Sequence, residues 1–97
     1  MTLREAVKDL PCLRATEDIE DPLIPVKFFA LASGWTWYIL EYDGEDECFG
    51  YVDGLEFEAG YIWLPELEEL RWCGIPRVEV DGHWTPTRLS VIKEARG

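Results

Sequence analysis

Between Trp35 and Tyr42, apolar and aromatic side chains fall on both parities of the chain, with Trp35, Trp37 and Ile39 on one and Tyr38, Leu40 and Tyr42 on the other. Successive side chains of an extended strand point to opposite faces. A strand of this composition is apolar on both faces and has to be covered on both, which predicts a central strand with the rest of the chain built around it. The means are present: 97 residues, an apolar share of 47% and thirteen aromatic rings. A chain of this length forms one domain and buries about two thirds of the surface it exposes when unfolded, so residues 1–97 read as a single domain.

Turn signals cut the flanking sequence into short elements. Residues 26–31 read as a strand before the turn at Ser33-Gly34. Residues 48–52 return after Asp43-Gly44-Glu45-Asp46, where Asp-Gly is a hairpin signal. After Asp53-Gly54, residues 55–57 and 61–63 read as further strands, or as one strand interrupted by a bulge or turn at Gly60. Residues 77–80 are a last strand before Asp81-Gly82. Three helices complete the reading. Thr2 and Glu5 fit a capping box ahead of the stripe Leu3, Ala6, Val7 and Leu10, in a helix that ends before Pro11. Pro65 suits the first position of a helix ending near Gly74, with Leu64, Leu67 and Leu70 inward and Glu66, Glu68 and Glu69 outward. Thr87 suits the cap of a C-terminal helix carrying Leu89, Ile92 and Ala95. Residues 15–25, acidic and bounded by prolines, read as an exposed loop.

Charge is distributed unevenly over this frame. No Lys or Arg lies between Lys27 and Arg71, yet eleven acids do: Glu41, Asp43, Glu45, Asp46, Glu47, Asp53, Glu56, Glu58, Glu66, Glu68 and Glu69. The other nine acids balance all nine Lys and Arg, so the whole net charge of −11 sits in the middle of the chain. Like charge so concentrated repels itself and invites a cationic partner. The pairs Glu41 and Asp43, Glu45 and Glu47, and Glu56 and Glu58 are two residues apart, and on strands each pair would project from one face about 6.6–7 Å apart. That row resembles the phosphates of a nucleic acid, and it also fits a solvated face that keeps a small protein in solution.

The same acidity disfavours direct binding to nucleic acid or to anionic membranes. No run approaches the ~18 apolar residues of a membrane span, and Met1 is followed by a charged periodic segment. Cys12, Cys48 and Cys73 are odd in number and widely spaced, which predicts free thiols in a reducing compartment and hence the cytoplasm. Aromatic rings bury about 150–250 Å² each, so most of the five tryptophans belong to the core. Trp72, at the end of the acidic helix, and then Trp84 are the expected exposed anchors.

Specific chemistry finds no support in the motifs. Asp43, Glu45 and Glu47 alternate like the opening of a calcium loop, but its sixth position would be Cys48 and its twelfth Gly54, which rejects an EF-hand. Cys12, Cys48, Cys73 and His83 lack the Cys-x-x-Cys pair that nucleates a zinc site. His83 stands in a turn beside Asp81, and neither Ser33 nor Ser90 lies in a nucleophile elbow. A catalytic carboxylate pair is unspecific evidence in a chain with twenty acids. No cofactor, metal or catalytic residue is assigned.

Val26-Lys27-Phe28-Phe29, Trp35-Thr36-Trp37-Tyr38, Glu41-Tyr42-Asp43, Phe49-Gly50-Tyr51-Val52-Asp53-Gly54, Glu58-Ala59-Gly60-Tyr61 and Leu64-Pro65-Glu66-Leu67-Glu68 together resemble a family of small bacterial proteins known only as a domain of unknown function. Ile75-Pro76-Arg77 and the run from Pro86 to Leu89 resemble its closing segment, so the likeness covers most of the chain. The resemblance implies a setting on plasmids, phages and integrative elements, often near antirestriction genes, and carries over no catalytic residue. Relatives have Phe-Ser before the acidic helix where this chain has Ile62-Trp63, which removes a serine cap and leaves Pro65 to start the helix.

The expectation is an α+β domain, a twisted, mainly antiparallel sheet of four to five strands with short N-terminal, middle and C-terminal helices packed on one face. The expected function is a non-enzymatic inhibitor from a mobile element, an anti-CRISPR or antirestriction protein of the DNA-mimic type. It would occupy a nucleic-acid-binding surface of a host defence complex, such as a Cas or restriction subunit. Glu41, Asp43, Glu45, Asp46, Glu47, Glu56 and Glu58 would supply charge, and Tyr42, Tyr51 and Trp72 anchoring area. The alternative is an interaction module that binds a basic protein encoded by the mobile element itself.

Overall fold

The computed structural model describes residues 1–97, the side chain of Trp72 excepted. Its elements are α1 (Leu3–Val7), β1 (Leu23–Ile24), β2 (Val26–Ala30), β3 (Thr36–Tyr42), β4 (Glu47–Asp53), β5 (Phe57–Trp63), α2 (Leu64–Glu69), β6 (Arg71–Trp72), β7 (Ile75–Pro76), β8 (Val78–Val80), β9 (Thr87–Arg88) and α3 (Leu89–Arg96). The fold is α+β. Five strands form one antiparallel sheet in the order β5-β4-β3-β2-β8, with β3 in the middle.

The sheet is covered on both faces, not one. Leu3 and Val7 of α1 and Leu64 and Leu67 of α2 bury against Phe28, Trp37, Ile39, Cys48, Ile62 and Val78. On the opposite face Ile92 of α3 packs with Ile24, Tyr38 and Leu40. Two cores follow from the two apolar parities of β3: Trp37 and Ile39 serve one, Tyr38 and Leu40 the other.

Tyr42 breaks the expected alternation. Ile39 pairs with Gly50 but Glu41 pairs with Phe49, so Leu40 is an extra residue, a β-bulge. Beyond it the parity reverses. Leu40 and Glu41 both lie on the α3 side, and Tyr42 crosses to pack beside α1 and α2. Gly50 is required here because a Cβ would stand 2.0 Å from the Tyr38 carbonyl oxygen.

The capping box of α1 is complete: the Glu5 amide donates to Thr2 Oγ1 at 3.1 Å and the Thr2 amide to Glu5 Oε1 at 2.9 Å. α2 begins at Leu64 without a side-chain cap, with Pro65 in its first turn, and ends at Glu69 rather than near Gly74. The chain then turns through Cys73 and Gly74, both at positive φ (52° and 80°), into the small hairpin β6–β7. Two left-handed central residues are the signature of a type I′ turn, whose twist suits a tight hairpin. Residues 15–25 are not wholly loop, since β1 pairs with β9 and buries Ile24 completely.

Thr87 does not cap α3. It belongs to β9, and its hydroxyl donates to the Thr85 carbonyl at 2.7 Å. Asp21 from the preceding loop does the capping instead, accepting from the Ser90 amide at 2.8 Å and its hydroxyl at 2.7 Å. The Ser90 hydroxyl and then its amide hold the Asp21 carboxyl below the usual aspartate range. A cap brought in from about seventy residues away locks the β1 loop to α3. Among the described residues no helix is long and apolar enough to cross a membrane.

Candidate protein-binding surface

None of the three acid pairs lies wholly within a strand. Asp43 and Glu45 sit in the β3–β4 turn and Glu56 in the β4–β5 turn, with only Glu41, Glu47 and Glu58 on strands. Turns exist here because Gly44 takes φ 88° and because Asp43 accepts from the Glu45 and Glu47 amides at 2.7 and 3.1 Å. The Glu45 amide is the main cause of an Asp43 carboxyl held below its ordinary range.

Glu41 is not available to a partner, which corrects its assignment as surface charge. The bulge swings it under the loop of residues 12–19, where it is 2% exposed. Its Oε1 accepts from the Arg14 amide and its Oε2 from the Thr16 amide, each at 2.8 Å, and Oε2 also accepts from the Thr16 hydroxyl. Arg14 stands at φ 71°, a left-handed turn that aims its amide at the carboxylate. Burial raises the Glu41 pKa, but the Thr16 hydroxyl and the Thr16 and Arg14 amides outweigh it and hold the carboxyl below its ordinary value. Glu41 is an anchor for the loop.

Basic residues from outside the acidic stretch neutralise some of the others. Arg4 on α1 bridges Asp46 at 2.7 Å and Glu68 at 3.0 Å and also donates to the Glu45 carbonyl. Arg96 at the end of α3 holds Asp53 at 2.8 Å. Asp43, Glu45, Glu47, Glu56, Glu58, Glu66 and Glu69 have no ion pair among the described residues.

Topology sorts these seven into two groups. Because Leu64 at the head of α2 donates to the Asp46 carbonyl at 2.8 Å, the β3–β4 turn and α2 lie at the same end of the sheet. That end gathers Asp43, Glu45, Glu47, Glu66 and Glu69. Glu56 and Glu58 lie at the other end of β5, a separation of about 20 Å for a strand of this length. It equals the axial rise of about six base pairs. The glutamates of α2 thus join the same surface as those of the β3–β4 turn, a grouping invisible in sequence because β5 separates them along the chain.

The expected aromatic anchors are placed differently. The Tyr42 ring packs beside α1 and α2, half-buried, and its hydroxyl donates to the Glu45 carbonyl at 2.7 Å, closing the turn. Tyr51 is half-buried and stacked on Phe57 with ring centroids 5.6 Å apart. The Trp72 anchor lies outside the described side chains. Trp84 is half-buried, donating from Nε1 to the Ile24 carbonyl at 3.0 Å. Tyr61 and Trp63 are instead the open rings on β5, 61% and 47% exposed. Their two-residue spacing within the strand expected at residues 61–63 was the available signal.

The thiols and the histidine are not gathered: Cys12 and Cys73 are exposed and Cys48 is buried. Among the described residues no group of three or more His, Cys, Asp or Glu is arranged to hold a metal ion. No protein-family model matches the chain, and no curated protein or solved structure is significantly similar to it.

Proposed function

We propose that the protein is a non-enzymatic acidic inhibitor that occupies a basic, nucleic-acid-binding surface of a host defence complex, in the manner of an anti-CRISPR or antirestriction protein. The observation that carries this reading is the pair of acid groups, seven carboxylates without an ion pair among the described residues, at two ends of the β4–β5 layer. Retaining them costs self-repulsion that a basic partner relieves. Their separation of about 20 Å suits a groove that normally follows several base pairs. The resemblance to proteins of mobile elements supplies the setting.

Attraction of this kind accelerates encounter and is screened by salt, since the Debye length falls from about 10 Å at 0.1 M to about 3 Å at 1 M. The test is capture from a host lysate on the immobilised protein at low and high salt, with the eluted proteins identified. The reading expects a nucleic-acid-binding defence subunit that elutes with salt. Capture of a basic protein encoded by the mobile element would support the interaction-module alternative, and capture that salt scarcely affects would defeat both.

A further inference from the structure

The two margins of the main sheet are unlike. β8 ends one with three residues, whereas β5 ends the other with seven, and no described strand pairs with its outer side. Hydrogen-bond parity says which groups are left over. The Gly54 amide donates to the Glu56 carbonyl across the turn at 3.0 Å, and pairs along an antiparallel ladder alternate between bonded and non-bonded. From that turn, residues 58, 60 and 62 direct their amides and carbonyls to β4, and Phe57, Ala59 and Tyr61 direct theirs outward together with the Trp63 amide, while the Trp63 carbonyl, at the N-cap, serves α2. An open row of this kind is a template for one more strand. Side chains alternate with the same period, so these four residues also share a face, the α3 side. Tyr61 and Trp63 stand open there, and the small Ala59 leaves the approach clear.

Charge selects the occupant. Glu56 and Glu58 flank the start of β5, Glu47 lies directly across from Trp63, and Glu66 follows its end. A second copy paired antiparallel on this edge would bring Glu56 and Glu58 of one chain towards Glu47 and Glu66 of the other, with −11 on each chain, and like charges across a ladder destabilise it. A basic segment meets opposite charge at both ends of β5. An Arg or Lys side chain beside Trp63 reaches the ring face and the Glu47 carboxylate together. We propose that the outer edge of β5 accepts an extended basic segment of the partner protein as a sixth strand, with its cationic side chains over Tyr61 and Trp63. This rests on the reading above that the partner is basic, and it names how that partner docks.

The probe is a capped peptide of alternating Arg and Val that spans the seven residues of β5, compared with the same peptide N-methylated at every residue, which keeps the charge and removes the donors. Binding of the first is expected to slow amide exchange at Ala59 and Tyr61 and to change tryptophan fluorescence. The methylated peptide is expected to bind about tenfold more weakly or worse. Ala59→Pro deletes an outward amide at an edge position that tolerates proline and should weaken the first peptide equally with unchanged circular dichroism. Should that variant not fold, Tyr61→Lys places a repelling charge on the open edge and should do the same. Equal binding of both peptides overturns strand addition. Binding that survives the edge variants but is lost in the quadruple variant Glu45→Gln, Glu47→Gln, Glu56→Gln, Glu58→Gln overturns the edge and leaves the acidic-surface reading intact. Indifference to both sets overturns both, and sedimentation showing a dimer that blocks the peptide overturns the choice of occupant.

Discussion

Glu41→Gln keeps the shape of the side chain and removes its charge, and its effect follows from three hydrogen bonds. Bonds to a charged acceptor contribute roughly 1.5–3 kcal/mol each. Burying the carboxylate offsets part of that sum, and breaking a buried charged arrangement costs about 3–5 kcal/mol when a partner is removed outright. Glutamine retains one acceptor oxygen. Placed towards the Thr16 amide and hydroxyl, that oxygen leaves the new amide group facing the Arg14 N–H, donor against donor. The expected loss is about 2–3 kcal/mol, which for a domain of this size lowers Tm by roughly 10–20 °C. Urea unfolding at pH 7 measures it, and hydrogen exchange at the Arg14 and Thr16 amides should quicken beyond the global change. The pH dependence gives a second check. The folded carboxyl titrates below its ordinary value of 4.5, so the unfolded chain takes up the proton first as pH falls. The stabilisation is complete above 4.5 and is lost as pH drops through the folded pKa, and the gap between wild type and variant should narrow in that window. A loss under about 0.5 kcal/mol at pH 7, typical of an exposed site, or a gap that does not change with pH, would refute the anchoring role.

Gly50 and Gly60 face one another across β4 and β5 and should respond oppositely to alanine. At Gly50 the new Cβ meets the main chain of Tyr38 and Ile39, for about 3 kcal/mol or more, while at Gly60 nothing lies within 4 Å and the change should stay within about 0.5 kcal/mol. Similar unfolding midpoints for the two variants would contradict the bulge geometry. Burial pushes the Cys48 thiol up to about 12, and Cys12 and Cys73 are exposed. A thiol reagent at mildly alkaline pH should therefore label Cys12 and Cys73 in the folded protein and reach Cys48 only after denaturation, which peptide mapping would show.

Where local rules act alone, the sequence was legible. Thr2 and Glu5 specify the α1 cap within four residues, and the double apolar parity of β3 specifies its central place; the same parity calls for a core on each face, which the expectation of helices packed on one face left out. The elements that escaped depend on partners distant in the chain. Asp21 caps α3 only because β1 and β9 bring them together, and Thr87 looked the better cap because it is adjacent. The bulge at Leu40 has no local mark in β3; its requirement is written in Gly50, on the neighbouring strand. One extra residue then turned Glu41 from the surface to the interior, and carried Tyr42 to the other face. Gly60 suggested an interruption, yet it sits within an unbroken ladder opposite Gly50, and joining residues 57–63 is what aligns Phe57 and Ala59 with Tyr61 and Trp63. The seven acids without an ion pair among the described residues were all legible as acids, but their division into two groups needed the strand order.

The central claim is that the acid groups compete with nucleic acid for a basic partner surface. Its most direct measurement is the affinity of a captured partner for duplex DNA, titrated with this protein and with the quadruple Gln variant at Glu45, Glu47, Glu56 and Glu58. Wild type is expected to displace the DNA in a salt-dependent, competitive manner, and the variant to do so far more weakly. A ternary complex in which the partner holds DNA and this protein together, with affinity unchanged by the four substitutions, would contradict it.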